Sequence, residues 1–249
     1  MDNNLLEELK KQIRRECRKI ILTATDYTIE TDRTALTQSK VLGIPFFPAS
    51  MAEEYPHTEE GIPLVMFAQI NFAEVPPMKG LPTSGLMQVY LNPFDWNDEN
   101  DRIIFFDEEQ LKEEPIDVYE EILRECIEDA GYYMPAQHVH TMEFEKGFSY
   151  SAADDRDYAR QLSKIGEKYS PEIAGEYAAA VSAEFGSRIG GYCDFTQYDP
   201  RRRKFFQLLQ IDSEEGINFY DCGVMHVFIT PRDLKDGNFE NAFVYTDFY

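Results

Sequence analysis

The sequence has few basic residues and no long apolar run. Its 249 residues include 24 lysines and arginines against 46 aspartates and glutamates, which gives a formal net charge of −22. Such a surface repels phosphate backbones, so we expect no nucleic-acid binding. The charge either keeps the protein in solution or attracts a basic protein partner over about 8–10 Å in physiological salt. No apolar run approaches the ~18 residues of a membrane helix, so we expect no membrane association.

Cysteines are also scarce. The four that are present lie far apart and form no C-x-x-C pair, which argues against a disulfide framework. The first residues lack the basic and then apolar segments of a signal peptide. We therefore expect a cytoplasmic protein with free thiols. With 43% hydrophobic and 28% charged residues, the composition is globular, and the chain is long enough to bury a core without staples.

The residue pattern predicts helices and strands in separate blocks, which is typical of the α+β class. An amphipathic helix is predicted over residues 4–22, with Asn4 and Glu7 at capping-box spacing. Its basic face is interpreted as a solvated surface or as a docking site for an acidic partner. Its apolar stripe recurs at three- and four-residue steps and consists of Leu5, Leu9, Ile13, Cys17 and Ile20.

Two groups of strands flank a helical segment. Prolines break the first group, at about residues 36–95, into short strands, and the second group lies at about 187–249. The individual strands are predicted at 63–71, 85–91, 103–106, 205–211 and 224–229. The helices are predicted from Asp117 to a stop at Gly131, over about 154–168, and from Ser170-Pro171 to a stop at Gly186.

An internal repeat of three blocks, in the same order, is the most specific signal in the chain. The matching blocks are 39–43 (SKVLG) with 187–191 (SRIGG), 69–71 (QIN) with 210–212 (QID), and 85–91 (GLMQVYL) with 223–229 (GVMHVFI). Two copies of one antiparallel β unit can each bury a sheet face against the other. We therefore predict a single domain over residues 1–249, with copy one at about 36–95, a helical insert at about 117–186 and copy two at about 187–249.

The same blocks resemble the bacterial YwqG-like family. The first half of the likeness is carried by SKVLGIPFFP, Tyr55-Pro56, PLVMFAQIN and GLMQVYL, and the second half by SRIGGY, YDP, FFQLLQID, YDCGVMHVFI and PRDL. Leu42-Gly43 replaces the family's usual Gly-Gly, and Tyr55-Pro56 replaces its frequent Trp-Pro. The resemblance implies an α+β fold with duplicated antiparallel strands, and it implies no agreed activity.

Two glutamines are the first candidate site residues. Gln69 and Gln210 lie at matching places inside apolar runs, and Asn71 and Asp212 close the same two blocks. An unpaired buried amide costs roughly 1–3 kcal/mol, so a loop backbone, the other copy or a ligand must bind these amides. Each glutamine either holds a neighbouring turn or forms part of a polar floor in a cleft between the copies.

Further candidates are charged. Arg202 and Arg203, in a basic run before a strand, suit a phosphate or carboxylate, although such a run is also typical of a solvated turn. Asp221 precedes a predicted tight turn and is a possible carboxylate ligand or catalytic group.

His138 and His140 have the spacing of two metal ligands on a strand, and Glu143 or Cys126 could be a third ligand. Two histidines in a loop are common and nothing else shows ligand spacing, so we predict no metal site.

Motifs of known chemistry are missing. The sequence contains no G-x-S-x-G, H-E-x-x-H or Walker A pattern, and we predict neither a cofactor nor catalytic residues. The leading hypothesis is a non-catalytic binding module, with a basic protein as one form of partner. The alternatives are a small-molecule binder or enzyme with a site between the two copies, and a carbohydrate binder that uses exposed aromatic rings.

Overall fold

The computed structural model describes residues 1–96, 100–130, 132–150, 155–181, 185–202 and 204–248. These residues contain five α-helices and ten β-strands. The helices are α1 (Asn3–Ile13), α2 (Arg124–Ala130), α3 (Arg156–Lys168), α4 (Pro171–Ala180) and α5 (Pro231–Lys235). The strands are β1 (Arg15–Ala24), β2 (Lys40–Val41), β3 (Val65–Asn71), β4 (Leu86–Leu91), β5 (Arg102–Phe106), β6 (His140–Ser149), β7 (Arg188–Gly190), β8 (Phe206–Asp212), β9 (Val224–Ile229) and β10 (Phe243–Asp247).

All ten strands of the described chain form one antiparallel sheet in the order β10-β9-β8-β7-β1-β6-β2-β3-β4-β5. The long strands β1 and β6 pair at its centre, from Arg15 opposite Ser149 to Ala24 opposite His140. We call β2–β5 the N-terminal half and β7–β10 the C-terminal half. The edge strands β5 and β10 approach each other within 8 Å at their Cα atoms, so the sheet is nearly closed.

The two halves share a register irregularity. The pairing of β3 with β4 shifts between Met66 and Ala68, and the pairing of β8 with β9 shifts between Gln207 and Leu209. Such a shift bends a strand and increases its twist, which helps the sheet to curl. The strands predicted at β3, β4, β5, β8 and β9 are confirmed to within two residues.

The helix predicted over residues 4–22 is wrong beyond Ile13. Asp2, and not Asn4, caps α1 by accepting a hydrogen bond from the Leu5 amide at 2.7 Å, and Arg14 turns the chain into β1. β1 alternates inward and outward side chains, but the buried inward residue Arg18 conceals this alternation. Backbone pairing with β6 and β7 on both sides outweighs the helical pattern.

The predicted helical insert is helical only in part, because β6 runs through it. Ser170 caps α4 and Pro171 occupies its first position, as predicted. Gly131 and residue 154 lie outside the described residues. Helices α1, α3 and α4 pack together around a separate small core formed by Leu9, Ile165, Ala174 and Tyr177. No described helix is long and apolar enough to cross a membrane.

Candidate functional site

A large groove lies between the two halves of the sheet. Its volume is about 860 Å³. One wall is the β3–β4 connection, at residues 78–85, together with Phe105 on β5. The other wall is Phe206 on β8 and the start of helix α5, where Pro231 and Leu234 lie. We call this cavity the inter-half groove, and most of its lining is apolar.

A buried arginine positions the first wall of the groove. Arg18 on β1 is fully buried, and its Nε donates to the Pro76 carbonyl at 2.7 Å. Its NH2 group donates to the Pro77 carbonyl and to Glu16, at 2.8 Å in the second case. Proline has no backbone N–H, so the backbones of Pro76 and Pro77 can form hydrogen bonds only through their carbonyl oxygens. The bonds from Arg18 therefore fix the segment that leads into the groove wall.

Gly85 ends that wall where no side chain fits. Its φ is +91°, and an added Cβ would collide with the ring of Phe105 and lie 2.9 Å from the Phe106 carbonyl. Phe105 is in turn stacked on Phe239, with ring centroids 4.9 Å apart and an interplanar angle of 9°. Close backbone approach at Gly85 therefore lets an aromatic ring from the N-terminal half pack against the C-terminal half.

The rim of the groove is charged. Lys79 and Lys235 supply cations, and Asp107, Glu108 and Glu109 supply carboxylates, all of them on exposed residues. The described lining contains no histidine, cysteine or tyrosine. An apolar floor with charged groups at its mouth suits the binding and orientation of a ligand better than proton transfer to it.

The two halves also meet at a second contact, away from the inter-half groove, and this contact is closed. Pro231 and Leu234 follow β9 at the same spacing at which Pro93 and Trp96 follow β4. Trp96 is 2% exposed and faces the β8–β9 connection. Its ring lies 5.7 Å from that of Phe219 and 4.5 Å from that of Tyr220, and Phe219 also contacts Phe67 at 5.5 Å. We call Phe67, Trp96, Phe219 and Tyr220 the aromatic cluster.

Gln69 is fully buried in the N-terminal half, Asn71 is half-buried at the end of β3, and neither lines the inter-half groove. The Gln69 amide donates to the carbonyls of Leu36 and Gln38, at 2.8 and 2.7 Å, and its oxygen accepts from Gln88 at 2.7 Å. Asn71 donates to the Thr37 carbonyl at 3.0 Å. Both side chains therefore hold the turn that precedes β2.

Gln210 and Asp212 occupy the corresponding place in the C-terminal half, which is also outside the groove. The Gln210 amide donates to the Gly186 carbonyl at 3.1 Å, and its oxygen accepts from the Asp194 amide at 3.2 Å. Asp212 accepts from the Gly186 amide at 2.6 Å. Arg188 is paired with Asp194 in the same cluster, where burial raises the pKa of Asp194 and the arginine opposes that rise.

The remaining predicted site residues are dispersed. Asp221 is exposed in the turn before β9, and Arg202 is exposed before β8. Arg203 lies outside the described residues. His140 is buried, and both its ring nitrogens face carbonyl oxygens at 2.8 Å, those of His138 and Glu215. No group of three or more histidine, cysteine or acidic residues in the described chain is arranged to hold a metal ion.

Sequence reasoning missed the groove residues. The sequence predicts residues 72–84 only as a proline-broken connection between the strands at 63–71 and 85–91. The apolar side chains of Met78 and Leu81 in that connection were the available signal, because a solvated loop has no need of them. The β3–β4 connection comes close to Phe206 and Leu234 only because the sheet is nearly closed, and the sequence does not show this closure.

The fold and the groove define a class: a mixed α/β protein with one nearly closed antiparallel sheet, a few helices and an apolar groove between the sheet halves. A family model described as "Domain of unknown function (DUF1963)" matches residues 39–247, and the chain therefore belongs to this family. The match includes both halves and the groove, whereas α1 and β1 precede it. No curated protein matches the chain.

Proposed function

We propose that this protein is a non-catalytic binding protein that holds a small, mainly apolar molecule in the inter-half groove. The observation that carries the proposal is the difference between the two contacts of the halves. One contact is filled by the aromatic cluster, and the other, beside the stacked rings of Phe105 and Phe239, leaves a groove of about 860 Å³. Exposed apolar surface of this extent commonly marks a binding site.

The lining supports binding over catalysis. Catalysis by proton transfer or nucleophilic attack needs a placed base, acid or nucleophile, most often histidine, cysteine or an activated hydroxyl. The described groove lining offers lysines and carboxylates at its rim, on exposed residues, and the hydroxyls of Thr83 and Ser84, with no histidine in that lining to activate them. An enzyme with its site between the halves would use the same groove, and it would require one of these rim groups to contact the reacting atom.

The proposal can be tested by filling the groove with a tryptophan, in the way that Trp96 fills the closed contact. Leu234→Trp places a tryptophan at the position that corresponds to Trp96. Leu234 is 3% exposed among core residues, so the larger ring has room only toward the groove. We expect the native protein to bind the neutral apolar dye Nile red, and we expect the variant to bind it at least about tenfold more weakly. The measurement is a fluorescence titration, with circular dichroism to show that the fold is retained.

Tyr198→Trp is the matched control, since it adds the same ring at an exposed position away from the groove. It should leave the Nile red affinity unchanged. Equal dye binding by native protein and a folded Leu234→Trp variant would refute the proposal, and so would absence of dye binding by the native protein.

A second candidate function is capture of a basic protein, which the net charge of −22 favours. Its test is a pull-down from the host at low and at high salt, where loss of a basic partner at high salt is expected.

Carbohydrate binding on exposed aromatic rings has less support. The exposed rings of Tyr198 and Tyr220 are inclined to the half-buried rings of Tyr245 and Phe248, at 59° and 66°, so neither pair forms a flat stacking surface.

We also propose that the two halves are copies of one ancestral unit, as in the YwqG-like proteins, and that the protein is bacterial and cytoplasmic. Matched backbone details support the duplication. Ser39 and Ser187 each accept a hydrogen bond from the end of the next strand, from the amides of Asn71 at 2.9 Å and Asp212 at 3.0 Å. Their own amides donate to glutamates, Glu74 at 2.9 Å and Glu214 at 2.8 Å. A superposition of residues 39–91 on 187–229 that left these bonds apart would count against it.

A further inference from the structure

A second depression adjoins the inter-half groove. Its volume is about 460 Å³, and it shares Met78, Lys79 and Phe206 with the groove. Gly190 lies beneath this junction with a φ of +70°, and an added Cβ there would lie 2.7 Å from the Met78 Cε. The glycine therefore lets Met78 lie between the two cavities. We call the second depression the basic pocket.

The lining of the basic pocket opposes the charge of the whole chain. It contains five cationic and two acidic side chains, whereas the chain carries a formal charge of −22. The cationic residues are Arg15, Lys79, Arg156, Arg201 and Lys204, and the acidic residues are Glu16 and Asp157. A concave site with this local excess of positive charge attracts anions despite the acidic surface around it.

Three arginines of the basic pocket are held in place. Arg201, which is 7% exposed, pairs with Asp199 at 2.5 Å and with Asp155 at 3.0 Å. Arg15 pairs with Asp157 and lies over the Tyr192 ring at 4.0 Å.

Arg156 donates instead to carbonyl oxygens, those of Arg202 at 2.8 Å and of Phe205, so no carboxylate neutralises it through these bonds. Arg15 and Arg201 are thus neutralised by carboxylates and shape the wall of the pocket, whereas Arg156 keeps an uncompensated charge in a fixed position.

Two lysines remain to contact a ligand directly. Lys79 and Lys204 are exposed, and neither has a hydrogen-bond or ion-pair partner in the described part of the chain. Lys79 lines both cavities, so this residue lies at the junction where an apolar body in the groove would meet a polar group in the pocket.

We infer that the basic pocket binds the anionic group of the same molecule whose apolar body occupies the inter-half groove. The ligand class is an amphipathic anion, with a carboxylate or phosphate at one end of an apolar chain or ring. This inference rests on the proposed function, because the apolar body is the part that the groove would hold. Lys79 and Lys204 would supply charge-assisted hydrogen bonds to the anion.

The test compares three probes of equal chain length, decanoate, decanol and decylammonium, titrated calorimetrically below the concentrations at which they form micelles. We expect decanoate to bind roughly tenfold more tightly than decanol, with decylammonium the weakest, since a hydrogen bond to a charged group adds affinity. High salt should reduce the preference for decanoate, because it screens the exposed lysines.

The double variant Lys79→Glu, Lys204→Glu should lower the affinity for decanoate to that for decanol or below. The control Lys146→Glu, Lys164→Glu changes the net charge equally, at exposed residues that line neither cavity, and should retain the preference.

Equal affinity for all three probes, with Leu234→Trp abolishing each, would overturn the anionic subsite and leave the groove as a binding site. A preference for decanoate that persists in the Lys79→Glu, Lys204→Glu variant would also overturn it. If no probe binds the native protein, both the subsite and the proposed function are refuted.

Discussion

The halves of this sheet meet on an open side and on a closed side, and the two sides are built at equivalent places. On the closed side Trp96 follows β4 and packs on Phe219 from the β8–β9 connection. On the open side Leu234 follows β9, is 3% exposed, and lines a groove of about 860 Å³ whose other wall is the β3–β4 connection. The contact is filled where a tryptophan meets the β8–β9 connection, and a groove remains where a leucine lies near the β3–β4 connection. The groove is a specific feature of one side and does not follow from the two-half arrangement itself.

The interiors of the halves differ in a second way. Each contains a glutamine whose amide donates to the turn before the preceding strand, Gln69 on β3 to the Gln38 carbonyl before β2 and Gln210 on β8 to the Gly186 carbonyl before β7. Opposite these glutamines stand Gln88 in the N-terminal half and His226 in the C-terminal half. The backbone contact is shared, and the ionisable neighbour differs, which indicates that the glutamines maintain the fold.

The largest expected effect concerns this ionisable neighbour. Burial, followed by the charges of Arg188 and Arg201, lowers the pKa of His226 from 6.5 to about 3. Between these values the unfolded chain binds a proton that the folded protein does not, so stability is lost as the pH falls. The loss from about pH 7 to about pH 4 amounts to about 3 kcal/mol. His226→Gln, which copies Gln88, should remove this part of the acid sensitivity in urea unfolding.

His57→Gln is the control for that measurement, because His57 is exposed. It should leave the dependence of unfolding free energy on pH as in the native protein. If His226→Gln follows the native pH dependence, the buried histidine is not what makes the C-terminal half sensitive to acid.

The next effect concerns the closed side of the contact. Trp96→Leu, which copies Leu234, removes a buried ring from the aromatic cluster and leaves a cavity beside Phe219. We expect the free energy of unfolding to fall by about 2–3 kcal/mol, measured by urea denaturation. Phe94→Leu, at a residue that is 39% exposed, should cost much less. Equal stability of Trp96→Leu and the native protein would mean that the closed side needs no filling.

The smallest effect tests the shared glutamines. Gln69→Leu and Gln210→Leu should each lower the free energy of unfolding by about 1–2 kcal/mol, because turn carbonyls lose their donor. Gln210→Leu should be the costlier change, since its oxygen accepts from the charged Arg188, at 3.3 Å, whereas that of Gln69 accepts from the neutral Gln88. Thermal melts measure both, with Gln12→Leu on the exposed face of α1 as control. An unchanged melting temperature together with lost ligand binding would identify the glutamines as ligand contacts.

Part of the fold was predictable because it depends on local pattern. The apolar runs of β3, β4, β8 and β9 and the Ser170-Pro171 start of α4 are signals within a few residues. β1 and β6 were not predicted. In β1 the inward-facing Arg18 interrupts the alternation, and its charge is tolerated only because the Pro76 and Pro77 carbonyls and Glu16 bind it. No local rule anticipates a partner so distant in the chain.

The candidate site was predicted poorly for a related reason. The sequence predicts Gln69 and Gln210 as candidate site residues because each is a polar residue inside an apolar run. Their partners are backbone carbonyls of adjacent turns, which have no sequence signature. The groove residues Leu81, Phe206 and Leu234 look like ordinary core residues until the sheet brings them together.

The sequence alone determined the acidic charge, the positions of most apolar strands and the likeness of the two strand groups, since each depends on residue types and their spacing. The tertiary structure decided which strands lie at the centre of the sheet and where an open groove remains. The reason is physical: pairing and cavity shape depend on contacts between residues far apart in the chain, and those contacts form only when the sheet curls and brings its two edge strands together.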